Sequence, residues 1–342
     1  MSGVNIIAMP TRLTFGTEAV MRTLVWIVAA LLPVLAPTAS AQVYPAKPVR
    51  IMVGYSPGGG VDTTARMVAA ALSQTWDAKV IVENHPGAAG NIATELTAQA
   101  TPDGYTFVLC NIGSHSITPA RFRKRLTYDP VRDFAFPAMI GGVPNVLMVH
   151  PSMPTRSLVD YVAFARAHPG KLNIGSGGVG SSPHLSFELL KINTGIEVVH
   201  VPYKGVAAAL TDLMSGHLES SMGNLAGRAL ATIKAKRVRA LGVTSATRNA
   251  QLPGVPTFAE QGVPGYDVTG WYGLCTQSKV PASIITKINA DLNKLLAGPL
   301  KQPLENQGIT VAPRTPEQFA AHVKREIARW SKVVQQAKLE TR

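Results

Sequence analysis

Cysteine is almost missing from this 342-residue sequence, which has only Cys110 and Cys275. A disulfide-framework fold and a thiolate metal centre are thereby excluded, because both need several thiols at short, regular spacing. Acidic residues are scarce as well, 20 against 33 lysines and arginines. The densest basic runs, 121–125 and 234–239, hold one aromatic side chain, Phe122, and not the repeated interleaving of a nucleic-acid platform, so the +13 net charge points to small anionic ligands and not to nucleic acid. No H-E-x-x-H or comparable histidine spacing is present, and no G-K-[ST] phosphate loop, so neither a metal nor a cofactor is expected. Past residue 41 no segment reaches the roughly 20 consecutive apolar residues that a membrane-spanning helix requires.

What is present begins with an export signal. Arg22 precedes an uncharged run over 23–41 that ends in Ala39-Ser40-Ala41, the pattern of a secretory signal peptide. Pro33 and Pro37 interrupt its apolar heart, which makes it too short to anchor the chain. Cleavage is expected after Ala41 and the destination is periplasmic; either Met1 or Met21 could start translation. About 300 residues then remain, enough for two domains with sizeable cores. In an oxidising compartment Cys110 and Cys275 could pair, but each lies in an apolar strand-like run, so two separately buried thiols are an equal alternative.

Strand-like and helix-like patterns alternate from Pro48 onward. Segments 49–55, 80–82 and 105–110 read as strands, and 63–76 and 92–100 as helices. A second series runs through strands 146–149, 172–175, 198–201 and 238–244 and helices 157–167, 182–194 and 207–216. Such alternation predicts an α/β fold with parallel sheets covered by helices. Segment 268–275 would return the chain to the first sheet, and amphipathic helices 284–296 and 316–336 would cover it. The expected lobes are therefore 42–143 with 266–342, and 144–265, joined by two short crossings that suggest a hinge.

The segment Tyr55-Ser56-Pro57-Gly58-Gly59-Gly60-Val61-Asp62 links the first strand to the first helix. A glycine run there lets backbone N–H groups approach an anion at the positive end of a helix, and Asp62 is a natural N-cap for a helix starting at Thr63. Tyr55, Ser56, Gly59, Gly60 and Asp62 are the candidates from this loop. Gly54 to Gly58 also satisfies G-x-S-x-G, so an exported hydrolase using Ser56 is an alternative; against it, several loop residues separate Ser56 from the helix, and no histidine or aspartate can be assigned to it. Gly175 to Gly180 satisfies G-x-G-x-x-G, here read as a second anion-cradling turn with Ser176, Gly177, Ser181 and His184, and not as a dinucleotide site. Asn111, Ser114, His115 and Ser116 follow the third strand, and Tyr203 and Lys204 another, where ligands of open α/β sheets bind.

At these loops the sequence resembles the Bug family, extracytoplasmic substrate-binding components of tripartite tricarboxylate transporters. The resemblance runs from Tyr44-Pro45 through Gly58-Gly59-Gly60-Val61-Asp62, 82–92, Pro102-Asp103-Gly104-Tyr105-Thr106, His168-Pro169-Gly170, His200-Val201-Pro202-Tyr203-Lys204-Gly205 and 239–244 to 252–257. It implies two Rossmann-like lobes of the type II periplasmic-binding-protein kind, closing on a carboxylate held largely by main-chain amides and ordered water. The expected protein is thus a monomeric solute-binding protein and not an enzyme. Its ligand would be a dicarboxylate, tricarboxylate, amino acid or aromatic acid. Its partner would be membrane transporter subunits, or a sensor kinase if the protein serves signalling instead of uptake. Val61 departs from the family pattern, which usually has a hydroxylated or small residue there.

Overall fold

The computed structural model describes residues 44–122 and 126–336; the expected signal peptide and its cleavage point lie outside them. The first apolar segment forms β1 (Val49–Val53), followed by α1 (Gly60–Trp76), β2 (Val80–Asn84), α2 (Asn91–Ala98) and β3 (Thr106–Asn111). β1 lies between β2 and β3 and parallel to both, as strands joined by helical crossovers must. A buried π-helical turn, Gly113–Ile117, and α3 (Thr118–Phe122) lead to β4 (Phe134–Val149). The second series is α4 (Leu158–Ala167), β5 (Asn173–Ser176), α5 (Ser182–Thr194), β6 (Val199–Pro202), α6 (Val206–Met214), β7 (Ser220–Asn224), α7 (Arg228–Lys234) and β8 (Arg239–Val243). β9 (Thr269–Gln277), α8 (Ala282–Ala297), α9 (Lys301–Asn306), β10 (Thr310–Val311) and α10 (Pro316–Gln336) complete it.

The strands follow one pairing path, β2-β1-β3-β9-β4-β7-β5-β6, with β8 and β10 also on β4. Pairing is parallel in β2-β1-β3 and β7-β5-β6 but antiparallel wherever β4 or β9 takes part, so the sheet is mixed and not purely parallel as the alternation predicts. β4 joins the halves: its Phe134–Pro144 part pairs with β9, and its Asn145–Val149 part with β7 and β8. Only its last four residues read as strand in the sequence, because Pro137 and Pro144 argue against a strand interior. The register shifts between Ala135 and Ala138, and that bulge takes up Pro137. β7, Ser-Ser-Met-Gly-Asn, has no β-branched residue to announce it. Its small residues are needed where α6 packs down: a Cβ on Gly223 would come 2.6 Å from Val206 Cγ1.

Local signals place several helices. Ser157 and Asp160 form a reciprocal capping box at α4, while α5 has Ser181 as N-cap and ends at Gly195 in the left-handed region. α8 buries Ile288, Leu292 and Leu296 at four-residue spacing against Ile51, Phe107 and Leu109. α10 buries Phe319, Val323 and Trp330 in a core shared with Trp271 and Phe136. Cys110 and Cys275 are joined as a disulfide with Cα atoms 5.7 Å apart, tying β3 to β9. His115 and His184 are buried and His200 and His322 half-buried, and loss of water around each ring, the largest cause, lowers His115 and His184 to about 3 and His200 and His322 to about 4.

Two outcomes follow from this packing. The bridge closes a long loop whose ends lie 165 positions apart in sequence, so replacing both cysteines by alanine is expected to lower unfolding free energy by about 2–4 kcal/mol in denaturant titrations. These desolvated imidazoles stay neutral in the fold while the unfolded chain takes up protons below about pH 6.5. Stability should therefore be full above pH 6.5 and fall by about 1.4 kcal/mol per pH unit for each such histidine as pH drops toward their folded values. Equal denaturation midpoints at pH 7 and pH 5 would show that these rings carry protons in the native state.

Candidate ligand-binding site

The loops leaving the carboxyl ends of β1, β3, β5 and β7 meet at one cleft, the place where open α/β sheets hold ligands. The space inside it open to the centre of a water molecule is ≈ 20 Å³, room for about one water. Among the described residues, those lining the cleft include no lysine, arginine, histidine, aspartate or glutamate. Its polarity comes from Tyr55, Asn111, Ser181, Ser182, Asn224 and Tyr272, and from the first turns of α1 and α5.

α1 starts at Gly60, three residues earlier than the sequence predicts, with Gly59 as a cap that offers no side chain. Gly60 can sit there because it lacks a Cβ, which would come 2.7 Å from Ala226 Cβ and 3.0 Å from Tyr272 Oη. Asp62 is therefore not the N-cap. It is buried in the first turn behind the loop, where Oδ2 accepts from Gly58 N (2.9 Å) and Arg66 Nε (3.0 Å) and Oδ1 from Asn84 Nδ2 (2.8 Å). Burial opposes its charge, but Arg66, the Gly58 N–H and Asn84 together hold the carboxyl below the usual aspartate range. Tyr55 Oη donates to Ala89 O at 2.6 Å, and Asn111 Oδ1 accepts from Gly113 N at 2.8 Å.

Ser56 donates from both N and Oγ to Lys204 O, at 3.1 and 3.0 Å. The first loop is thus clasped to the segment after β6, and Gly205 makes the approach possible, since a Cβ there would lie 3.1 Å from Ser56 N. Arg228 N completes the contact with a 3.4 Å bond to Gly58 O. The Ser56 hydroxyl is directed at a carbonyl oxygen, not at a histidine or carboxylate that could take its proton.

In the second loop Ser176 Oγ turns inward to His200 Nε2 at 2.6 Å and accepts from Gly178 N at 3.2 Å. Ser181 caps α5 by accepting from His184 N at 3.4 Å, and His184 Nδ1 accepts from Gly180 N at 3.2 Å. The His184 and His200 rings lie 4.1 Å apart behind the loop. Burial first, and then the proximity of His200, keeps His184 neutral and able to accept. Tyr203 Oη donates to Asp212 Oδ2 at 2.6 Å, and Lys204 extends into solvent. Ser114, His115 and Ser116 lie in the buried turn after β3, with the His115 ring edge-on to Phe134 at 4.7 Å.

Tyr55, Ser56, Gly59, Gly60, Asn111, Gly177 and Ser181 therefore come together at the cleft. Asp62, Ser114, His115, Ser116, Ser176, His184, Tyr203 and Lys204 do not line it; most of them brace the loops that do. Sequence reasoning missed Val206, Asn224, Gly270 and Tyr272, which also line the cleft. Tyr272 is 2% exposed, and its hydroxyl has no protein partner among the described residues. The available signal was a tyrosine within an otherwise apolar strand, since a buried phenol needs something to bond.

The family model described as Tripartite tricarboxylate transporter family receptor matches residues 64–339. R. palustris Rpa4515, solved with adipate, is 36% identical, covers 86% of this chain and 98% of its own, and superposes with a TM-score of 0.82. MatC (Rpa3494) from Rhodopseudomonas palustris, solved with bound malate, is 30% identical over 85% of this chain and 100% of its own, with a TM-score of 0.81. The periplasmic binding protein BugD is 28% identical over 87% of this chain and 100% of its own, with a TM-score of 0.83. On the family match and the two-lobed α/β fold shared with these proteins, the chain belongs to the tripartite tricarboxylate transporter receptor family, the Bug-type solute-binding proteins that its loop motifs resemble.

Proposed function

We propose that this chain is an exported, periplasmic receptor that captures a small carboxylate by closure of two lobes, 42–143 with 266–342 and 144–265, and presents it to membrane transporter subunits. One observation carries the reading: a narrow cleft without charged side chains, walled in part by apolar groups, brings together several hydrogen-bond donors that no protein acceptor takes. Ser182 Oγ accepts from Asn145 Nδ2 at 2.8 Å, which leaves its own proton to the cleft, and Tyr272 offers a second hydroxyl with no protein acceptor. The N-terminus of α1 adds first-turn N–H groups that no side chain caps, α5 adds the N–H of Ser182, and both ends carry partial positive charge. A carboxylate, which accepts about four hydrogen bonds and donates none, matches that set. The Ser56–Lys204 clasp corresponds to a closed arrangement, and closure is driven by contacts that the ligand makes only when both lobes touch it. The adipate and malate found in two similar proteins support the class of ligand.

The test is a thermal-shift screen of the purified chain, unfolded and refolded to strip carried-over ligand, against carboxylates and their amides. A matching acid at 100-fold excess over its Kd adds about 2.7 kcal/mol of stability, and its amide adds none. Tyr272→Phe should leave the melting of the unliganded protein unchanged and weaken the acid about 10- to 100-fold, the loss of one hydrogen bond to a charged group. Stabilisation by amides as strong as by acids, or by no acid at all, would overturn the carboxylate reading.

A further inference from the structure

The orientation of one amide in the cleft is decided by a chain of hydrogen bonds that begins outside it. Ser186 Oγ donates to Ser182 O at 2.9 Å, so toward Asn145 Nδ2, 2.7 Å away, it can only accept. Ser182 Oγ accepts from the same nitrogen at 2.8 Å. Both amide protons of Asn145 are thereby used, and its Oδ1 must face β7, where it accepts from Asn224 Nδ2 at 2.8 Å. Asn145 is fully buried and cannot turn without breaking all three bonds. Asn224 lines the cleft with one of its two amide protons given to Asn145; it keeps its second N–H and its amide oxygen, and on that oxygen no protein donor sits among the described residues.

An acceptor set among donors reads a donor on the ligand. We propose that Asn224, positioned by Asn145, is a specificity-determining residue that selects a carboxylate bearing a hydroxyl over the matching unsubstituted acid and the matching amino acid. This rests on the carboxylate reading above. The ligand hydroxyl donates to Asn224 Oδ1, while its oxygen and the carboxylate remain free to accept from Tyr272 and Ser182. An unsubstituted acid strips water from Oδ1 and returns no bond. An ammonium group could donate, but it would bring a full positive charge to a cleft lined by no carboxylate and faced by the positive ends of two helices.

The test is calorimetric titration of the purified full chain with three matched sets: succinate, malate and aspartate; glutarate, 2-hydroxyglutarate and glutamate; adipate, 2-hydroxyadipate and 2-aminoadipate. In the set of best-fitting length the hydroxy acid should bind about tenfold more tightly than the unsubstituted acid, with the amino acid weaker than the hydroxy acid. Asn224→Asp should make the amino acid the tightest of the three. Asn224→Ser, milder for folding, should abolish the hydroxyl preference while holding the unsubstituted acid within about threefold. A purely structural role for Asn224 would weaken all three ligands alike and leave their ranking unchanged, which overturns the inference. Acids that bind with no hydroxyl preference in the wild type overturn this inference alone. Absence of binding by every acid in the three sets overturns it together with the carboxylate reading.

Discussion

Much of this structure depends on a hydrogen-bonded knot where the chain passes between the two halves of its sheet. At Asn145 β4 leaves β9 and begins to pair with β7, and the backbone there is locked to Thr244: Asn145 N donates to Thr244 Oγ1 at 2.8 Å and Thr244 N to Asn145 O at 2.9 Å. The second crossing is tied to the same point, because Thr244 Oγ1 donates to Val268 O at 2.6 Å just before β9 starts. Every one of these groups is buried, so leaving any unpaired would carry a desolvation cost of about 1–3 kcal/mol. The Asn145 side chain extends the knot to the start of α5 and the end of β7. A backbone crossing and the polar wall of the cleft are thus one network.

A second constraint is that the cleft offers an anion no opposite charge. In the proposed reading oriented dipoles replace the counterion, which requires that they be held in place before the ligand arrives, and the residues around the cleft are placed to hold them. Asp62, Arg66 and Asn84 brace the glycine loop from behind, and Ser176, His184 and His200 brace the second. The histidines act as neutral acceptors and spacers, which burial enforces. The disulfide between β3 and β9 steadies the strands that carry Asn111 and Tyr272, which lie opposite each other in that ladder.

The alternation of apolar runs with turn residues was legible enough to place most strands and helices, since period and punctuation are local properties. Glycine loops after strands, and a run of family-like motifs along the chain, pointed to the cleft and to the family. β7 was invisible because small polar residues become a strand only when β4 and β5 flank them. The first twelve residues of β4 were hidden by prolines that a bulge accommodates. Asp62 looked like a helix cap because aspartate is a good one; the close approach of Gly60 to Ala226 and Tyr272 moved the start of the helix upstream.

By itself, then, the sequence determined the α/β class, the order of most elements, the loops that gather at the cleft and the family. Those follow from short-range patterns of apolar, glycine and capping residues. Only the tertiary structure decided which polar side chains face the cleft and which stand behind it. It also decided that Cys110 and Cys275 meet across a ladder 165 residues apart in sequence, and that Tyr272 and Asn224 face the cleft. The reason is physical: whether a hydroxyl, imidazole or amide faces a ligand depends on which of its hydrogen bonds the surrounding protein has already taken, and those partners come from distant parts of the chain.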